Sequence, residues 1–251
     1  YYLNLEVRLR QEIAWASAGH VTAIEQLELS VETALPSPNI KPVGAINTSD
    51  SAKALLVYSD DFALEFDKSI GAIGSWKVND SEKLTAPIID NFYRAPLDND
   101  IGTSEANKLD PNSWFARWQS IGLDSLTREL EQFEWYQAEQ GVVVVSQQRY
   151  SHQGKALIRS TWRYTVVSDG SVSLDVDVTL AQHLPPLPRI GLEVALYDGE
   201  HHESIEQVSW LGRGPHENYP DRLASAHIGR YQQSLDVMHT PYIFPSDNGL
   251  R

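Results

Sequence analysis

The stretch SVSLDVDVTL, residues 171–180, decides the fold class. Val172, Leu174, Val176, Val178 and Leu180 alternate without a break with Ser171, Ser173, Asp175, Asp177 and Thr179. A period of two puts the apolar side chains on one face of an extended strand and the polar ones on the other. That is the pattern of an antiparallel sheet with one buried and one wet face.

The same period runs elsewhere. YLNLEVRLR, from residue 2, sets Leu3, Leu5, Val7 and Leu9 against Asn4, Glu6, Arg8 and Arg10. Further strands are expected at 21–30, 53–58, 62–66, 141–147, 156–168, 190–197 and 205–211. The unbroken VVVV at 142–145 predicts a strand covered on both sides. Helix is scarce. DPNSWFARWQSIG, 110–122, predicts one, with Asp110 as N-cap, Pro111 in the first turn and Gly122 at the end. Trp114, Trp118 and Ile121 then share a face that packs on a sheet, while 124–136 fits helix or strand. LPSPNIKPVGAINTSDS, 35–51, reads as a linker. Residues 1–34 are too short to close a core alone.

Composition narrows the function. With 251 residues and 41% apolar side chains the chain suits one large or two ordinary globular domains. A formal charge of −14 argues against nucleic acid and anionic membranes, both of which call for clustered Lys and Arg. There is no Cys, hence no disulfide, thiolate metal site or cysteine nucleophile, which fits a reducing cytoplasm. No apolar run approaches the length of a membrane span, and the N-terminus lacks a signal-peptide pattern. Seven Trp and eleven Tyr beside one Met, Met238, suit β-sandwich cores and also sugar stacking. Residue 1 is Tyr, and the chain reads as a piece of something longer.

Three segments concentrate the remaining signal. NFYRAPLDNDIGTSEAN, 91–107, places Asp98, Asn99 and Asp100 side by side. As an EF-hand loop starting at Asp98 it has Gly102 at the fifth position and Leu109 at the twelfth, so both Gly and bidentate Glu are misplaced. A hydrogen-bonded turn is the simpler reading, with Arg94 upstream to pair with Asp98 or Asp100. WLGRGPHENYPDR, 210–222, spaces Gly212 and Gly214 as in a dinucleotide loop, but Glu217 stands at the third glycine position and no βαβ rhythm surrounds it. His216 and Glu217 are neighbours, which diverge on a strand, and Asp221–Arg222 reads as a structural ion pair. TPYIFPSDNGLR, 240–251, is another turn. His201 and His202 are adjacent, the other histidines are scattered, and neither HxH nor HExxH occurs. No GxSxG elbow is present.

Together FYRAPLDNDIG, WLGRGPHENYPDR and TPYIFPSDNGLR, in that order and spacing, resemble the large bacterial LacZ-type β-galactosidases of glycoside hydrolase family two, and AWASAGH at 14–20 is similar to the end of their second immunoglobulin-like domain. The resemblance covers essentially the whole chain. It implies an all-β fold: an antiparallel, galactose mutarotase-like supersandwich over 51–251, preceded by a linker at 35–50 and by the last strands of an immunoglobulin-like β-sandwich at 1–34. It implies a retaining enzyme acting on terminal β-D-galactosides such as lactose. Such chemistry needs two carboxyl groups roughly 5–5.5 Å apart, which the family carries on a (β/α)₈ barrel outside this segment. No catalytic residue is therefore expected here, and the chain alone is expected to be inactive.

By the same resemblance Gly102, Thr103, Ser104 and Glu105 form a substrate-proximal loop with Gly102 as hinge, braced by Arg94, Asp98, Asn99 and Asp100. Backbone carbonyls of Phe244 and Pro245 match a monovalent-cation site. No other cofactor is assigned to this segment, although magnesium and sodium are implied for the whole enzyme. The implied partners are the galactoside, the remaining domains including the barrel, and further copies in a homo-oligomer. A non-catalytic sugar-binding or scaffold module and a mutarotase-like epimerase are the competing readings.

Overall fold

A computed structural model describes residues 1–30, 45–102, 110, 112–196, 207–219 and 222–243. Its regular structure is almost entirely antiparallel strand, as the alternation predicts. The chain divides into two compact units. One holds the described residues of 1–30 and 207–243, and the other those of 45–196.

The larger unit is a sandwich. One sheet has five strands in sequence order, β3 (Asn47–Asp50), β4 (Ala54–Tyr58), β5 (Phe62–Asp67), β6 (Ala72–Val78) and β7 (Ser81–Glu82). β3 lies at the end of the segment read as a linker; residues 31–44 are outside the described set. The second sheet is a four-stranded meander of β9 (Thr127–Ala138), β10 (Gly141–His152), β11 (Lys155–Val166) and β12 (Val172–Leu180). β8 (Ile89–Asn91), between these runs of sequence, pairs with β13 (Gly191–Glu193), which follows the second.

The pleat explains what meets in the middle. Leu55, Val57, Leu64, Phe66 and Ile73 from the first sheet pack against Val142, Val144, Trp162, Tyr164 and Val166 from the second. Phe66 and Tyr164 meet edge to face, their centroids 5.1 Å apart. Each such side chain contributes about 1.5–3 kcal/mol when fully buried. Val143 is also buried, so the VVVV run is covered on both faces as expected. The deciding strand, β12, lies at the edge of its sheet, where Val172 and Leu174 reach this core while Val176 and Leu180 stay exposed.

A second apolar cluster gathers Phe92, Trp118, Leu123, Tyr150, Leu157 and Ile158. Trp118 comes from the expected helix, which is shorter than predicted: α2 spans Trp114–Ser120. Its N-cap is Ser113, whose Oγ accepts from the Ala116 amide, and not Asp110, whose carboxylate instead accepts from the Asn112 amide. Ser113 sits one turn nearer the apolar residues, so its hydroxyl can reach the amide three residues on. The expected stripe holds for Trp118 and Ile121, but Trp114 is exposed and lies against the Arg117 guanidinium. The ambiguous 124–136 segment forms most of β9.

In the smaller unit β1 (Tyr2–Arg8) pairs with β2 (Val21–Glu28), and β14 (Gln207–Gly214) with β15 (His227–Ser234). The side-chain amide of Gln26 joins the two pairs: it donates to the Ile228 carbonyl at 2.9 Å and accepts from the Ile228 amide at 2.7 Å. Leu3, Leu5 and Val7 remain exposed.

Candidate functional site

The acidic run folds as one tight turn. Pro96 keeps the residue before it extended, and α1 (Asp98–Ile101) follows directly, closed by the Gly102 amide donating to the Asp98 carbonyl at 2.8 Å. Asp100 holds the turn from within. Its Oδ2 accepts from the Leu97 amide at 2.8 Å and from Arg94 Nη1 at 2.6 Å, and its Oδ1 lies 3.4 Å from Arg94 Nη2. Both side chains are mostly buried, with 15% of Arg94 and 11% of Asp100 exposed. Arg94 also donates to the Ala95 carbonyl, and its guanidinium carbon stands 5.6 Å from the centre of the Trp118 ring. Asp98 Oδ1 accepts from the Asn99 amide at 2.9 Å, so Asn99 enters through its backbone.

Of the two partners weighed for Arg94, the structure selects Asp100. Gly102 adopts φ +117° and ψ 168°, a conformation essentially confined to glycine. Thr103, Ser104 and Glu105 lie outside the described residues, as do Phe244 and Pro245.

A polar seam between the two apolar clusters was not foreseen. Asp90, on β8, is buried at the level of the central strands. Its Oδ2 accepts from Tyr150 OH at 2.7 Å, and its Oδ1 from Ser160 Oγ at 2.9 Å and Trp162 Nε1 at 3.0 Å. Arg128 donates through Nε to Tyr150 OH and through Nη2 to the Ile70 carbonyl. Burial raises the Asp90 pKa against the lowering effect of these donors, and burial followed by the Asp90 charge raises that of Tyr150. Gln148 and Ser146 extend the seam, Gln148 Nε2 donating to Ser146 Oγ at 3.1 Å.

The signal for this seam was present in two strands. In VVVVSQQRY the inward row reads Val142, Val144, Ser146, Gln148, Tyr150, and in IRSTWRYTV it reads Ile158, Ser160, Trp162, Tyr164, Val166. Polar residues interrupting an inward row call for a buried partner.

In WLGRGPHENYPDR the neighbours His216 and Glu217 serve different partners. His216 Nδ1 donates to the Glu217 carbonyl at 2.7 Å, and Nε2 lies 3.1 Å from Ser225 Oγ. The Glu217 carboxylate is buried and accepts from Tyr242 OH, which raises the phenol's pKa. Asp221, His201 and His202 are outside the described residues. Each of these buried carboxylates is thus engaged: Asp90 by three donors, Asp100 by Arg94, Glu217 by Tyr242. Such an arrangement positions backbone and side chains. Among the described residues no group of three or more His, Asp or Glu is placed to hold a metal ion.

Comparison with known proteins finds relatives along the whole chain. The family described as "Beta galactosidase small chain" matches residues 58–251. Curated relatives named β-galactosidase are similar along the whole chain: that of Psychromonas ingrahamii is 44% identical over 255 residues, that of Vibrio cholerae 44% over 251 and that of Photobacterium profundum 44% over 253. In each case all of this chain is covered but only 24% of the relative, so the chain spans about a quarter of the length of the curated relatives it matches.

Proposed function

This chain belongs to the β-galactosidase family, and on that premise we propose that it is a segment of a retaining β-galactosidase, supplying scaffold and an active-site loop while the catalytic glutamates stand elsewhere in the enzyme. The observation that carries this reading is the coverage: similarity runs from end to end of this chain yet over only a quarter of each relative. The engaged state of the buried carboxylates supports it. The intact protein then hydrolyses terminal β-D-galactosides such as lactose with retention of configuration. Partners are the galactoside, the remaining domains with their barrel, and further copies in a cytoplasmic homo-oligomer. Magnesium and sodium belong to the whole enzyme, with the backbone carbonyls of Phe244 and Pro245 assigned to a monovalent cation.

In this reading α1 is the fixed base of the substrate-proximal loop. The Arg94–Asp100 pair anchors it, and Gly102 is the hinge from which Thr103, Ser104 and Glu105 move, a gating role without covalent chemistry. Proton NMR of the intact enzyme acting on an aryl β-galactoside tests the activity: the first-formed sugar is the β-anomer. Sugar binding with no hydrolysis would favour a non-catalytic module instead.

Gly102→Ala tests the hinge. Forcing a Cβ into φ +117°, ψ 168° costs about 1–3 kcal/mol of backbone strain, so the loop's open–closed balance shifts and turnover changes. Steady-state kinetics on lactose and on an aryl galactoside that match wild type would remove the gating role.

A further inference from the structure

Beside the polar seam lies an open cavity of about 330 Å³, lined within the larger unit by β8, β13, the start of β9 and the segment after α2. Its size falls at the lower end of the roughly 300–1,000 Å³ usual for small-molecule sites. One side is apolar: the half-buried ring of Tyr93 and the side chains of Leu123 and Leu126. The other is polar and held from behind. Tyr150 is fixed between Asp90 and Arg128, and Arg128 is itself tied to the Ile70 carbonyl. Two further groups, Asn91 and Glu193, lie diagonally across the β8–β13 pair, Asn91 Nδ2 lying 3.4 Å from Glu193 Oε2.

We propose that this cavity binds a neutral hydroxylated ring, a sugar or a cyclic polyol. The charges on its wall exclude the alternatives. A free anion meets the Glu193 carboxylate, and a free cation meets the Arg128 guanidinium. A polyol satisfies both signs at once, since its hydroxyls donate to Glu193 and accept from Arg128. Its C–H face lies against the Tyr93 ring, an aromatic surface with an apolar body and a polar tip. The groups are preorganised by the seam, which lowers the ordering cost of binding. This inference goes beyond the hydrolytic reading and does not depend on it.

The test uses myo-inositol, a hydroxylated ring with no glycosidic bond, added to the intact protein that carries this chain, with amide hydrogen exchange as readout. Exchange slows saturably at residues 89–93 and 191–193. Glu193→Ala weakens that protection roughly tenfold in apparent affinity while thermal unfolding stays at the wild-type value. Ethylammonium and acetate give no protection. Absence of protection at those strands, protection indifferent to Glu193→Ala, or equal protection by either charged probe would overturn the proposal. Cleavage of a chromogenic galactoside is measured on the same samples, so a failed cavity and a failed hydrolytic reading are told apart.

Discussion

Asp90→Ala lowers the unfolding free energy of the larger unit by about 3–5 kcal/mol, because it strands the Ser160 and Tyr150 hydroxyls and leaves Trp162 Nε1 only Ser160 Oγ as acceptor. Trp162 Nε1, Ser160 Oγ and Tyr150 OH all point at the carboxylate, and the Ser160 and Trp162 side chains are fully withdrawn from solvent. Asp90→Asn costs less: the amide oxygen still serves Ser160 and Trp162, and the amide nitrogen donates to Tyr150 OH. The pH dependence separates charge from geometry. Burial raises the Asp90 pKa above its ordinary value of 3.8. A group whose folded pKa is raised contributes stability that is fully present below the unfolded pKa and lost as pH rises through the folded one. Urea titrations across that window therefore show wild type losing stability relative to Asp90→Asn as pH rises. A flat difference would mean that the carboxylate is as well solvated folded as unfolded.

Asp100→Ala is the second large effect. It removes the acceptor of the Leu97 amide and leaves the Arg94 guanidinium mostly buried against Trp118 without its counter-charge. Breaking a buried pair from one side costs about 3–5 kcal/mol. The expected readout is fast amide exchange at 97–102 together with lower turnover in the intact enzyme. Because the loss comes largely from an uncompensated cation, Arg94→Ala/Asp100→Ala is less destabilised than the sum of the single variants. Arg94→Lys keeps the charge but not the two-pronged contact, and restores only part of the stability. Additive losses in the double variant would show that the two side chains act independently.

Much of the fold was legible because alternation is a local property. The long strands β10 to β12 each carry enough residues for a period of two to stand out, and VVVV announced a strand with two covered faces, whereas the sequence of β9 fits helix or strand equally. The strands that escaped are short or interrupted. β8 is three residues long and pairs with another three-residue strand a hundred positions away. β6 contains Gly74, and β15 contains Gly229 amid polar residues, so neither shows a clean row. The helix start was misplaced because Asp110 and Ser113 are both good caps, and only the tertiary position of Trp118 chooses between them.

The site divides along the same line. Arg94 and Asp100 are six residues apart, close enough for their pairing to be weighed from sequence. Asp90, Arg128, Tyr150, Ser160 and Trp162 come from four strands, and no local pattern joins them. What sequence did offer was polar residues standing in inward rows, a sign that some partner must exist without saying which.

The central claim is that this chain positions and supports a galactoside site whose reacting acids belong to other parts of the enzyme. The most direct measurement is the rate at which the purified 251-residue chain, made in a host lacking its own β-galactosidase, cleaves a chromogenic β-galactoside. The account predicts no release of chromophore above the buffer rate, whereas the intact enzyme turns over under the same conditions. Saturable, enzyme-concentration-dependent cleavage by the chain alone would contradict it.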